Sequence, residues 1–458
     1  MAFRWLPRPS GLSITNRLIV RMIASVTESA SPAMPQWLET IVQDVSSAPR
    51  LYSWSMKNLP AQPGRELREK KAPRDSDDEK RRIHILGIGN LGRLYAHSLA
   101  QLPDHPPITL VVHKKSLLEH WATEPGVEIT RSGVTERLDD LDIEWWTEEK
   151  PVKGPVAEVC EGRAISNLIV ATKAPDALPQ VDRLRRYLSE ESTVAFVQNG
   201  MNKLWPPYSF EYNSTRYPSG KHPNWIVCVT THGVTSLGTF KSLHASPADV
   251  AMGPVCLNPN TAAGAEYLMG QIMSAPHLEA RRVSRSDLWV LQLEKLIVNC
   301  VINPLTAILR CKNGVLFSKP ESPTIHVMDV LVMEASGVLQ ALVRDESSRG
   351  MLVRDEATDN QMTFKARQAA LLDRFSPPRL KAMVHAVGEK VKDNRSSMLQ
   401  DVSAGKQTEV REFNGWLADT AAYLGGGLDM TSHRTVIRLV EEGVILDEDH
   451  LGAYFPLP

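Results

Sequence analysis

The period of the apolar positions changes once along this chain, near Arg282, and the change separates two kinds of architecture. Before it, short β-prone runs alternate with stretches of helical spacing. Ile83, Ile85 and Leu86 form such a run, and Leu91, Leu94, Tyr95 and Leu99 then recur one helical turn apart, so RRIHILGIGNLGRLYAHSLAQL reads as strand, glycine turn, helix. Ile108–Lys115, Ser166–Ala174, Ser192–Gly200 and Asn224–Gly233 read as further strands, and DALPQVDRLRRYL as an intervening helix. Strands separated by helices predict a doubly wound α/β sheet. After Arg282, the segments DLWVLQLEKLIVNCVINPLTAIL, PTIHVMDVLVMEASGVLQALV, TFKARQAALLDRF, RLKAMVHAVGEKVKDN and TEVREFNGWLADTAAYL are all helical in spacing. The predicted division is an α/β domain over 81–281 and an all-α domain over 282–458.

Two stretches fit neither pattern. Residues 28–80 lack a strong period and end in a charged run, which reads as extension and solvated linker; Tyr52 and Trp54 are the aromatic pair within it that can dock on a domain. The segment around Trp205–Asn224 is rich in Pro, Ser, Asn and aromatics and reads as a long surface insertion. The first 27 residues contain Arg4, Arg8, Arg17 and Arg21, no Asp or Glu, and a helical apolar face of Leu12, Ile14, Leu18, Ile19 and Met22. That is the composition of a mitochondrial transit peptide, the plain alternative being a tail on a cytoplasmic protein.

Composition narrows the function classes. With 52 Lys+Arg against 53 Asp+Glu the net charge is -1, so no global field argues for nucleic acid, and any bound anion needs a local cluster. The five cysteines are odd in number and lack CxxC spacing, which suggests neither a disulfide framework nor a zinc site and fits a reducing compartment. No uninterrupted apolar run reaches the roughly 18–20 residues of a membrane span. A homodimer is one assembly compatible with the chain.

Gly87, Gly89 and Gly92 form GxGxxG directly between the first strand and the first helix. In a Rossmann-type domain, these glycines permit the tight turn, the approach of a pyrophosphate and close helix–strand packing, and the helix amino terminus faces the phosphates. The alternative is an ordinary glycine turn in another α/β protein. The second strand ends in VVHKKS, where an NAD site places an acid for the ribose 2′-hydroxyl; His113, Lys114 and Lys115 suit a 2′-phosphate instead, so the expected cofactor is NADPH.

In LEKLIVNCVINPLTAILRCKNG, Lys295, Asn299 and Asn303 recur every four residues and share one helical face, drifting by about 40° per step. One Lys and two Asn among apolar neighbours need hydrogen-bond partners; they can cap backbone groups, line a domain interface or serve chemistry. Pro304 removes one helix hydrogen bond and is expected to kink the helix beside Asn303.

The blocks KLIVNCVINPLTAIL and SSMLQDVSAGKQTEVREFNGW (Ser396–Trp416), together with VATKA, VQNGM and VTTHG, resemble the signature of the ketopantoate reductases, from about Arg82 to the carboxyl terminus. The resemblance implies a Rossmann-type domain followed by a 6-phosphogluconate-dehydrogenase-like helical domain. It implies NADPH-dependent reduction of a 2-oxo acid, 2-dehydropantoate, to its 2-hydroxy acid, as in pantothenate and coenzyme A biosynthesis. It places the catalytic lysine at Lys295 and a catalytic or orienting glutamate at Glu409. Asn299, Asn303 and Ser397 then fall at substrate positions, and Asn199 near nicotinamide and substrate. Lys173 falls at a cofactor lysine, Gly87, Gly89, Asn90, Leu91 and Gly92 in the phosphate loop, and Lys114 or Lys115 at the 2′-phosphate. No metal is expected. The competing readings are a reductase of another 2-oxo acid and a non-catalytic NADPH-binding interaction protein.

Overall fold

The computed structural model describes residues 33–60, 76–353 and 364–455. Thirteen described strands form two sheets. The large sheet orders as β1 (Tyr52–Trp54), β6 (Asp142–Thr147), β3 (Ile108–Val112), β2 (Ile83–Leu86), β7 (Asn167–Val170), β8 (Thr193–Phe196), β9 (Asn224–Thr230), β12 (Val250–Cys256) and β13 (Ala280–Arg282). Strands β6 to β9 in this order run parallel. Strand β2 sits centrally, with β3 on one side and β7 on the other, so the chain reverses direction across the sheet at the carboxyl ends of β2 and β7. In open α/β sheets that crevice is where ligands bind. Strands β2, β3, β7, β8 and β9 are buried throughout, which is why they read as continuous apolar runs rather than alternating ones.

The second sheet was not legible in the sequence. It orders β10 (Gly233–Gly238), β11 (Lys241–Ser246), β4 (Val127–Arg131) and β5 (Val134–Leu138). Strand β5 is exposed along almost its whole length and β10 nearly so, so neither carries the apolar run that marks a strand.

Two expectations are corrected. The segment read as linker packs onto the fold over its described part: the helix Gln36–Gln43 buries Leu38 and Ile41, and β1 pairs antiparallel with β6, setting Trp54 against Trp145. The stretch read as a surface insertion is largely interior. Leu204, Trp205, Tyr208 and Tyr212 are fully buried, the last of them on the helix Ser209–Arg216. The Trp205 indole donates to Gln292 Oε1 of the helical half, and Tyr208 OH lies 2.9 Å from Thr420 Oγ1. Pro and Asn in this stretch gave it the composition of a loop, but its aromatics carry the apolar area that decides placement. They join the core that runs from one face of the large sheet into the helices.

The sheet half ends with β13, and the helix Arg285–Leu309 begins after Ser284, whose side chain accepts from the Asp287 amide. This helix is packed by Pro323–Arg344, Pro377–Lys390, Ser397–Ser403, the turn Arg411–Gly415 and Thr431–Glu441. It runs through Pro304 as one element. The carbonyl that Pro304 leaves without its amide donor is that of Cys300, and Asn414 Nδ2 donates to it at 2.8 Å. Two helices, Arg285–Leu309 and Pro323–Arg344, are long and apolar enough to cross a membrane by length and composition, although charges interrupt their apolar runs. With 72% and 56% of those windows buried inside the fold, both serve here as core helices. The transit-peptide expectation for residues 1–27 lies outside the described residues.

Candidate active site

A cleft of about 1660 Å³ runs from the crevice of the sheet to the face of the helix Arg285–Leu309. It is larger than the roughly 300–1,000 Å³ of a single small-ligand pocket, which suits a dinucleotide plus a small substrate.

At the sheet end the glycine turn is sterically determined. Gly87 has φ +93°, and a Cβ there would lie 2.8 Å from the Thr172 amide nitrogen; a Cβ on Gly92 would lie 2.1 Å from the Gly87 carbonyl oxygen. Gly89 lines the cleft with nothing within 4 Å of its Cβ position, and no side chain caps the helix Asn90–Ala100 that it precedes. This open cradle at an uncapped helix amino terminus fits the phosphates of a dinucleotide. Leu91 lines the same cleft, whereas the Asn90 side chain is taken by the hairpin β10–β11, donating to Val234 O and accepting from Ser242 Oγ. Beyond β3 the two lysines separate. His113 and Lys114 line the cleft; Lys115 starts the next helix, 3.7 Å from Glu119 and 5.4 Å from the Trp54 ring centre, outside the cleft lining. Buried and without a hydrogen-bond partner among the described residues, Thr172 Oγ1 and Gln198 Oε1 lie in residues that line the cleft and are available to a polar ligand.

At the helical end, Lys295, Asn299 and Asn303 all line the cleft, on the one helical face that their spacing gives them. Lys295 Nζ donates to Asn199 Oδ1 at 3.1 Å and to the Thr230 carbonyl at 2.6 Å, so residues from two strand ends hold a side chain from the other half. Burial lowers its pKa to about 8, opposed by the charges of Glu409 and Asp249. Asn303 Nδ2 donates to Ser397 Oγ at 3.4 Å, and Thr306 Oγ1 sits 2.7 Å from Ser396 Oγ, fixing the start of the helix Ser397–Ser403 against the long helix.

Glu409 lines the cleft but does not bond Lys295. Its Oε1 accepts from the Ala174 amide at 3.2 Å, at the amino terminus of the helix Ala174–Arg183. Burial raises its pKa, opposed chiefly by the charge of Lys173. Lys173 in turn bonds Asp401 at 3.0 Å, a second polar link between the two halves.

Sequence reasoning passed over three groups. Asn313 is buried in the cleft wall, with Nδ2 donating to Val391 O and Oδ1 without a partner; its NG dipeptide signals a turn and masks the acceptor. Asp249 lines the cleft from the loop before β12, which carries no motif. Arg93 falls within a helical pattern that gives no hint of the charge it buries.

The comparisons with known proteins agree with this architecture. The family described as ketopantoate reductase PanE/ApbA matches residues 83–256, and its carboxyl-terminal counterpart matches residues 287–443. A ketoisovalerate reductase of Beauveria bassiana is 40% identical over 92% of this chain and 99% of its own. A probable 2-dehydropantoate 2-reductase of Schizosaccharomyces pombe is 26% identical over 78% of this chain and 95% of its own. The crystal structure of a probable 2-dehydropantoate 2-reductase from Bacillus subtilis shares the fold, with a TM-score of 0.54 and 21% identity over 79% of this chain and 99% of that one. The chain belongs to the ketopantoate reductase PanE/ApbA family of oxidoreductases.

Proposed function

We propose that this protein reduces a small branched 2-oxo acid to its 2-hydroxy acid with NADPH, and that ketoisovalerate is the preferred substrate. The observation that carries the reaction type is Lys295: an ammonium at the cleft surface, held by Asn199 and the Thr230 carbonyl, with its pKa lowered to about 8. Nicotinamide, when bound, supplies hydride to the carbonyl carbon. The remaining requirement is a proton for the oxygen, which Lys295 meets by polarising the carbonyl and then donating. Asn299, Asn303 and Ser397 offer neutral donors for the carboxylate beside it. Glu409 anchors the Lys173–Ala174 corner and adds a negative field that keeps Lys295 charged.

The choice of NADPH rests on His113 and Lys114 at the end of β3. The choice of ketoisovalerate draws on the Beauveria relative, which matches nearly the whole chain under that name. Ketopantoate is the second reading. It differs by a hydroxymethyl group, and the unpartnered Asn313 Oδ1 is an acceptor suited to such a hydroxyl. Steady-state oxidation of NADPH with each acid, at equal concentration, decides between them. Failure of both would remove the reading.

A further inference from the structure

We propose that Arg93 is a cofactor-binding residue whose guanidinium has no counter-ion among the described residues and takes the pyrophosphate of the dinucleotide as its opposite charge, fastening the hairpin β10–β11 beside the glycine turn. This rests on the dinucleotide reading of the cleft.

Arg93 lies in the first turn of the helix Asn90–Ala100 and is 9% exposed. Its Nε donates to Ile88 O at 3.1 Å, inside the glycine turn. Its Nη1 faces Gly238 O at 3.0 Å, Lys241 O at 2.6 Å and Ser242 Oγ at 3.0 Å, all on the hairpin. Every one of these acceptors is neutral. Nη2 makes no hydrogen bond among the described residues, and Arg93 lines the cleft together with Ile88, Gly89, Gly238 and Thr239. Burial alone pulls its pKa to about 10, with no acid opposing the shift. Glu124 and Glu128, below the hairpin, are engaged by Lys241 and Arg137. A buried cation is costly unless an anion meets it. Here the place beside it is the cradle formed by Gly87, Gly89 and the uncapped helix, where phosphates fit. Asn90, bonded to Val234 and Ser242, ties the same hairpin to the same turn. Anion binding at the turn therefore acts on the hairpin through two side chains.

The test uses the full-length protein without substrate. NADPH binding is followed by its fluorescence, and adenosine 2′-monophosphate, which lacks the pyrophosphate, is measured by competition. Arg93→Gln is expected to weaken NADPH about tenfold or more, the usual loss for a charge-assisted hydrogen bond. The same variant should change adenosine 2′-monophosphate binding by less than about twofold, and Arg93→Lys should restore most of the NADPH affinity because it keeps the charge. Circular dichroism checks that each variant is folded. Unchanged NADPH affinity in folded Arg93→Gln overturns the inference. So does an equal loss for both ligands, which marks a purely structural strap, as does a lysine variant no better than glutamine. If the unsubstituted protein fails to bind NADPH, the dinucleotide reading falls, and this inference with it.

Discussion

At the scale of single residues, the account turns on the protonation of Lys295. A proton donor must be charged to act, and burial brings its pKa down to about 8. The profile of kcat/KM is therefore expected to be flat below about pH 8 and to fall about tenfold per unit above it, as the ammonium is lost. A profile still flat at pH 10 contradicts the role. Removing the group, as in Lys295→Ala, should lower kcat by about 10²–10⁴-fold while leaving the dissociation constant for NADPH nearly unchanged, because the phosphate turn lies in the other half. Asn199→Ala should slow turnover by loosening that ammonium. The two lysines after β3 make a finer test. Lys114→Ala should raise the KM for NADPH and leave that for NADH alone, whereas Lys115→Ala, which loses its contacts to Glu119 and Trp54, should not raise the KM for NADPH. An equal effect of both substitutions would place the 2′-phosphate elsewhere. That Lys295, Asn299 and Asn303 share a helical face was readable from their spacing, since a helix puts every fourth residue near one face. The partners of Lys295 were not all readable, because one is the backbone carbonyl of Thr230, and a carbonyl has no signature in a sequence.

At the scale of elements, the decisive observation is how the long helix survives Pro304. The ring removes an amide, and Asn414, more than a hundred residues later, supplies the replacement donor to Cys300 O. Asn414 is fully buried and also lies 3.0 Å from His433 Nδ1. Asn414→Leu strands that carbonyl and should cost about 1–3 kcal/mol, measured by chemical denaturation. It should also raise the KM for the 2-oxo acid, since Asn299 and Asn303 flank the unpaired turn. No change in either measurement would show that the helix does not need the donor. The wedge of Leu204, Trp205 and Tyr208 gives a second test. Trp205→Ala should cost about 3–5 kcal/mol, as for other fully buried aromatics. A surface loop, which its Pro- and Asn-rich composition suggested, would lose almost nothing. Fold class was legible because parallel buried strands and amphipathic helices leave different periods. The small sheet and the wedge were not, because exposed strands have no apolar run and a buried aromatic in a Pro-rich stretch has no period at all.

For the whole molecule, the two halves are joined where the chemistry is. Lys295 reaches Asn199 and Thr230, Lys173 reaches Asp401, Glu409 reaches Ala174, and Trp205 meets Gln292. Each link pairs a side chain of one half with a group of the other, so the position of the halves and the geometry of the cleft are set together. The sequence located residues on both sides of this cleft by motif, but it did not show that the segment around Trp205 would fill the space between the halves. The most direct test is turnover with cofactor and 2-oxo acid together. Purified full-length protein is mixed with NADPH and ketoisovalerate, and both the loss of absorbance at the reduced cofactor band and the 2-hydroxy acid formed are followed, beside the Lys295→Ala variant. The native protein should form the hydroxy acid stoichiometrically with NADPH consumed, and the variant should be slower by at least about a hundredfold. Equal turnover by the variant, or NADPH binding with no reduction of ketoisovalerate, ketopantoate or any related 2-oxo acid, would contradict the proposed mechanism.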